Sequence, residues 1–214
     1  MYKRKSLFIT FEGIEGSGKS YQSLKLYNNL RKKKIPVILT REPGGTKSAE
    51  IIRNVILKDY FYKNKKEKFD KYTDTLLYLA ARNEHLINKI IPSFKKNKVV
   101  ICDRFIDSTI AYQVFGKKVN KSFVDFIHKY ILQGIKPDLT FVLKVNLSKA
   151  LQRLNKRRYK NRYDKFTKEF YNKVQNAFIK ISKKNKKRYF LTDNSKDSKN
   201  IEKLILNRVI KLLN

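Results

Sequence analysis

The chain has 214 residues, 41% of them hydrophobic, including 14 Phe and 13 Tyr; that fits one compact core, or two domains only if each were small. Its single cysteine, Cys102, excludes an intramolecular disulfide, and no apolar run approaches the ~20 residues that cross a bilayer. The formal net charge of +33 is dispersed along the whole chain, mostly as lysine in a background rich in Asn, Ile and Tyr and poor in Ala and Gly. That is the profile of AT-rich coding, partly exploited to attract phosphate-bearing substrates, and it points to no specific nucleic acid and no membrane partner.

Residues 1–5 are basic but lead straight into residues 6–11 (SLFITF), an apolar, β-branched and aromatic run that reads as a buried strand, not a signal-peptide core. The cytoplasm is therefore the expected location. A helix is predicted from Lys19 to about Lys33, then a second strand over 35–40 (IPVILT), with Pro36 at its start, where no ladder donor is needed. A turn over 41–46 precedes a helix to about Lys58, and the polar stretch 59–70 reads as a loop. A long helix is predicted over 70–91, stopped by Pro92. The run 98–102 reads as a third strand. Phe123, Phe126, Ile127, Tyr130 and Ile131 have helical spacing, so a helix is predicted over 120–133 with Gly134 as its stop. A fourth strand over 138–145, helices over about 148–160 and 165–185, a short strand over 189–192 and a last helix through Ile201, Leu204, Ile205, Val209 and Leu212 complete the chain. Alternating strands and helices predict one α/β domain with a five-stranded parallel sheet covered by helices on both faces. Ligands of such folds sit beyond the carboxyl ends of the strands.

Residues 13–20, GIEGSGKS, satisfy the G-x-x-x-x-G-K-[ST] pattern between a strand and a helix. Gly13, Gly16 and Gly18 let the backbone of Ile14, Glu15 and Ser17 turn its amides toward phosphate oxygens, and the helix that follows adds its unpaired amides. Lys19 is placed to reach the outer phosphates and Ser20 to bind magnesium. The third strand ends in Asp103-Arg104, a carboxylate where a metal is wanted and a cation for another phosphate. Arg41, held at a strand end by Pro43 and two glycines, reads as an anion clamp. His85 and His128 have no metal-ligand spacing around them, and Cys102 reads as packed in its strand.

Five segments, in this order and spacing, together resemble the thymidylate kinase family of P-loop nucleoside monophosphate kinases. They are FEGIEGSGKS (11–20), TREPGG (40–45), LAAR (79–82), DRFIDSTIAYQ (103–113) and RLNKRRYKNRYD (153–164). The resemblance implies a three-layer fold, ATP with Mg²⁺, and transfer of phosphate to dTMP. It further implies that Arg41 and Arg104 hold the acceptor phosphate and that Arg82 bonds the thymine edge. Tyr78 would stack on the base where the family usually has Phe. Ser108 and Thr109 would touch the base edge. Tyr112 would occupy the place of a ribose 2′-hydroxyl, supported by Gln113. Glu15 would lie near the acceptor sugar and the metal. With no arginine at Ile14, Glu15 or Ser17, transition-state charge falls to a lid over about 153–165, which carries Arg153, Arg157, Arg158 and Arg162. Arg162 matches the family's lid arginine best, in Asn161-Arg162-Tyr163-Asp164 where the family often reads Asp-Arg-x-Glu. The resemblance also implies a homodimer through long helices. Two alternatives stay open on the residues alone: another monophosphate acceptor, or a basic nucleic-acid-binding ATPase.

Overall fold

The computed structural model describes residues 6–58, 60, 67–156, 161–195 and 199–213. Five parallel strands form one sheet in the order β2-β3-β1-β4-β5, namely β1 (Phe8–Glu12), β2 (Val37–Arg41), β3 (Val99–Asp103), β4 (Leu139–Lys144) and β5 (Tyr189–Asp193). β1 lies between β3 and β4, and every residue of it is buried. That explains why its sequence is a continuous apolar run and not an alternating one.

Helices α1 (Lys19–Lys32) and α9 (Lys199–Leu213) cover one sheet face, where Leu26, Leu30, Ile201 and Ile205 pack on Ile9 and Phe11. On the other face, Leu86, Ile90 and Phe94 pack on Phe8, and α8 (Lys168–Ser182) lies over β4. α2 (Lys47–Leu57) pairs with α3 (Lys71–His85), and α6 (Lys121–Ile131) lies beside α3. α7 (Leu147–Asn155) follows β4. These positions match the expected elements to within a few residues, and the five-stranded sheet with helices on both faces is the fold anticipated from the sequence.

One expectation needs correction. Pro92 does not stop the third helix: a π-helical segment over Leu86–Ile90 follows α3, and α4 (Ile91–Lys95) continues with Pro92 in its first turn. A widened π turn removes the demand for the hydrogen bond that proline cannot donate. The stretch after β3 also carries structure that the sequence reading left unassigned, a short α5 (Ile106–Thr109) running into a π-helical segment Ile110–Gly116. Most of the expected loop over 59–70 and the end of the helix expected over 148–160 lie outside the described residues.

The sheet changes its direction of winding at β1. β2 and β3 are laid down on one side and β4 and β5 on the other. The carboxyl ends of β1, β2 and β3 therefore open a shared crevice, the position at which this class of fold binds ligands.

Candidate active site

The phosphate loop leaves β1 with Gly13 at φ 143°, Gly16 at 73° and Gly18 at 89°. Space as well as conformation demands glycine at the first position. A Cβ on Gly13 would lie 2.5 Å from the Leu143 carbonyl oxygen. Lys19 is the first residue of α1 and is buried, and its ammonium donates to the Ile14 carbonyl at 2.7 Å and to Ser17 Oγ at 3.3 Å. Burial, aided by the charge of Arg104, pushes the Lys19 pKa down to about 7. Two side chains brace this loop, Asn194, which the sequence did not single out, and Arg153, expected as a lid arginine. Asn194, just past β5, donates to the Ser17 carbonyl at 2.7 Å, and Arg153 of α7 donates to the Gly16 carbonyl at 2.9 Å.

Ser20 and Asp103 come together, as their assignment to one metal requires. The Ser20 hydroxyl donates to Asp103 Oδ2 at 2.5 Å, while Asp103 Oδ1 is buried with no hydrogen-bond partner. A hydroxyl and a carboxylate oxygen are the hard donors that magnesium takes, with phosphate oxygens and water completing its shell.

Arg104 sits at φ 73°, a conformation uncommon for a residue with a side chain. Its backbone amide bonds the Phe11 carbonyl at 3.0 Å, and the turn aims its guanidinium at the Gly13 carbonyl, 2.9 Å, and at Glu15 Oε1, 2.9 Å. Burial opposes its charge. Tyr112 together with the carboxylates Glu15, Asp103 and Glu12 outweighs that cost, and the pKa rises above the usual arginine value. Tyr112 donates its hydroxyl to the other oxygen of Glu15. Glu15, Arg104 and Tyr112 are thus one hydrogen-bonded group, and Ser108 joins it through Arg104 at 3.1 Å.

Glu12, the last residue of β1, lies within the segment 11–20 but has no expected role, because a lone acid after an apolar run has no pattern of its own. It is fully buried and accepts from the Phe105 amide at 2.7 Å and the Ser108 hydroxyl at 2.6 Å, so it fixes the turn that carries Arg104. Burial and the neighbouring Asp107 carboxylate push its pKa up to about 8.

Arg82 on α3 is buried over the Phe105 ring and nearly saturated. It donates to Glu42 Oε2 at 2.8 Å, to Thr109 Oγ1 at 2.9 Å and to His128 Nε2 at 2.8 Å. Glu42 is held in turn by His85, whose other nitrogen lies 2.7 Å from Thr40 Oγ1. Burial and the Arg82 charge push the His128 pKa down to about 3, so His128 is neutral and can accept. The two histidines that lacked a role in the sequence therefore orient the arginine. Gln113 Nε2 is buried with no hydrogen-bond partner, a donor awaiting an acceptor.

A cleft of about 230 Å³ is lined by Lys19, Ser20 and Asp103 and also by Tyr78, Arg82, Thr109, Tyr112 and Gln113. Arg41, Arg104 and Arg53 also line it. Arg53 was not anticipated; it donates to the Pro43 carbonyl at 2.6 Å, and Arg41 is held by Glu50 at 3.2 Å. From the lid segment the cleft takes Asn161 and Tyr163, whereas Arg162 bonds Asp74 and the Ile56 carbonyl. Asn161 and Asp164 cap each other's backbone, so this variant of the lid motif closes its own turn. Arg157 and Arg158 lie outside the described residues.

The family profile of thymidylate kinase matches residues 11–205. The chain is 40% identical to the thymidylate kinase of Acholeplasma laidlawii over 209 residues, covering 97% of this chain and 100% of that protein. It is 41% identical to the thymidylate kinase of Mycoplasma capricolum over 193 residues, covering 89% and 88%. The crystal structure of thymidylate kinase from Ehrlichia chaffeensis superposes with a TM-score of 0.72 at 35% identity, covering 96% of this chain and 98% of that one. With the phosphate loop, the Asp103-Arg104 turn and the Arg82 pocket in one crevice, and with these matches along nearly its whole length, the chain belongs to the thymidylate kinase family.

Proposed function

We propose that the protein transfers the terminal phosphoryl group of ATP to dTMP, giving dTDP and ADP for dTTP synthesis. The observation that carries this is the single cleft lined both by the phosphate loop and by a base-sized pocket of Tyr78, Arg82, Thr109 and Gln113. Such a cleft brings a donor phosphate and a nucleoside monophosphate face to face, and phosphoryl transfer needs little beyond that positioning and charge compensation.

ATP would lie over Gly13, Ile14, Glu15, Gly16, Ser17, Gly18, Lys19 and Ser20. Lys19, now bonded to the Ile14 carbonyl, would exchange that partner for phosphate oxygens. Ser20 and Asp103 would hold magnesium, which when bound offsets charge on the phosphates, with Glu15 held near them by Tyr112 and Arg104. Arg41, Arg104 and Arg53 would grip the acceptor phosphate, whose attacking oxygen is already ionised at neutral pH and needs no strong base. Tyr78 would stack on the base and Arg82 would bond its edge beside Ser108 and Thr109. Tyr112, fixed by Glu15, fills the space of a ribose 2′-hydroxyl, with Gln113 beside it. Arg162 would serve as the lid arginine after leaving Asp74. The lid over about 153–165 would exclude water from the transfer.

The reading includes a homodimer and a cytoplasmic location. The dimer is supported by an exposed apolar stripe on the adjacent helices α3 and α6, with Leu76 46%, Phe126 61% and Tyr130 64% exposed. Among the described residues no helix is long and apolar enough to cross a membrane.

The test is ADP formation with dTMP, dUMP, dCMP, dGMP, dAMP or UMP as acceptor. Strong stimulation by dTMP, well above dUMP, is expected. Preference for another monophosphate would keep the kinase and overturn the acceptor. No stimulation by any, with turnover rising on added nucleic acid, would replace the kinase by a basic ATPase.

A further inference from the structure

The buried carboxylate of Asp74, one turn before Tyr78 on α3, enters the scheme above only as the group that Arg162 leaves, yet three groups converge on it. Lys117 Nζ donates to Oδ2 at 2.7 Å and the Tyr163 hydroxyl to the same oxygen at 2.9 Å. Arg162 donates to Oδ1. The Asp74 side chain is 1% exposed, so an unpaired charge there would be costly, and the lid supplies two of its three partners. Lys117 also lies beneath the Tyr163 and Phe166 rings at 5.1 and 5.9 Å. Tyr163 in turn stands edge-on to Tyr78 at 5.9 Å and to Tyr112 at 6.1 Å. Asp74, Tyr78 and Arg82 recur at i, i+4 and i+8, so one face of one helix carries the lid's dock, the base-stacking ring and the base-reading arginine.

We propose that Asp74 is a positioning residue that docks the lid onto α3, so that filling of the acceptor-base pocket is linked to the placement of Arg162. The inference rests on the dTMP reading. In the docked state Arg162 is parked on Asp74 and the Ile56 carbonyl, away from the phosphate loop. A base inserted against Tyr78 meets the Tyr163 ring, and Tyr163 and Lys117 keep the carboxylate neutralised while Arg162 leaves it for the transferring phosphate. The lid arginine is thus released where the acceptor base is read.

The experiment uses the full chain with Asp74→Asn, which keeps the shape and removes the charge. In the substrate-free protein, amide exchange of residues 161–166 should quicken at least about tenfold. The KM for dTMP should rise about tenfold while kcat stays within about threefold, since Arg162 is no longer held back. Unchanged lid exchange, or kcat and both KM values moving together, would overturn the dock and leave Asp74 a structural ion pair. If Asp74→Asn does not fold, Tyr163→Phe removes only the hydroxyl and must shift lid exchange and the dTMP KM in the same direction; no shift would sink the proposal. The exchange readout needs no nucleotide, so a loosened lid in an enzyme preferring another acceptor would leave the dock standing and remove only the dTMP reading.

Discussion

At the scale of single residues the site is organised by buried charge. Lys19 is the clearest case. Burial pushes its pKa down to about 7 while its hydrogen-bond partners are uncharged, the Ile14 carbonyl and the Ser17 hydroxyl. A phosphate oxygen supplies the full counter-charge, so its contribution is largest when charge moves onto the transferring group. Lys19→Ala should lower kcat by about 10²–10³-fold with the circular-dichroism spectrum and melting cooperativity retained; near-normal turnover would remove the loop lysine from the mechanism. Glu12 provides a test by pH. Its folded pKa, about 8, lies above the ordinary carboxylate value of 4.5, so the folded state holds a proton that the unfolded state releases. That contribution is fully present below pH 4.5 and is lost as pH rises toward 8. Glu12→Gln, which keeps a neutral amide in place, should therefore gain melting temperature relative to the parent as pH is raised from 5 to 9. A difference in melting temperature that is flat across this range would contradict the buried neutral carboxyl.

At the scale of elements, most of what the chain forms could be read from local rules. The strands and helices sit where periodicity and caps place them. Thr46, Asp70, Asn120 and Thr167 each cap the helix that follows with a side-chain hydrogen bond. The exceptions have a common cause. Pro92 and the segment after Asp103 both lie in or beside π-helical turns, and a π turn has no sequence period of its own to recognise. It forms because the neighbouring residues are pinned by tertiary contacts, such as Phe105 and Ser108 on Glu12. Helix α6 raises a different question. Its outward face carries Phe126 and Tyr130 in ring contact at 5.1 Å, beside Tyr72 and Phe123, also 5.1 Å apart. Rings left in water on adjacent helices are what a second copy would cover. If the proposed dimer forms on this face, replacing Phe126 and Tyr130 together by Glu should convert it to a monomer in sedimentation velocity, with helical content unchanged. A parent protein that already sediments as a monomer would remove the dimer from this face.

At the scale of the whole molecule, the sequence determined the chemistry that is local in the chain. The strand–GIEGSGKS–helix pattern marks the loop as a phosphate site, because its inward amides and helix N-terminus come from adjacent residues even though Asn194 and Arg153 brace it, and alternating strands and helices mark the class of sheet. Arg41 and Arg104 were legible as phosphate cations at strand ends, and Arg82, Ser108, Thr109, Tyr112 and Gln113 through the family resemblance; of the expected loop and acceptor residues, all but Ile14, Ser17 and the loop glycines line the crevice. What tertiary structure alone decided is which charges meet. Glu12, Glu42, Asp74 and Asp107 are ordinary acids in the sequence, with no motif of their own. They become a turn brace, an arginine holder, a lid dock and the neighbour that pushes Glu12 toward protonation only because strands β1, β2 and β3 end at one edge of a parallel sheet and α3 crosses beside them. The same holds for Arg162. The sequence marks it as a lid arginine; its present partners, Asp74 and Ile56, lie far from it in the chain. Local pattern specifies backbone conformation and binding by backbone amides, whereas pairing of buried side chains depends on which distant residues the fold brings within a few ångströms, where low polarity makes each unpaired charge costly and each paired one decisive.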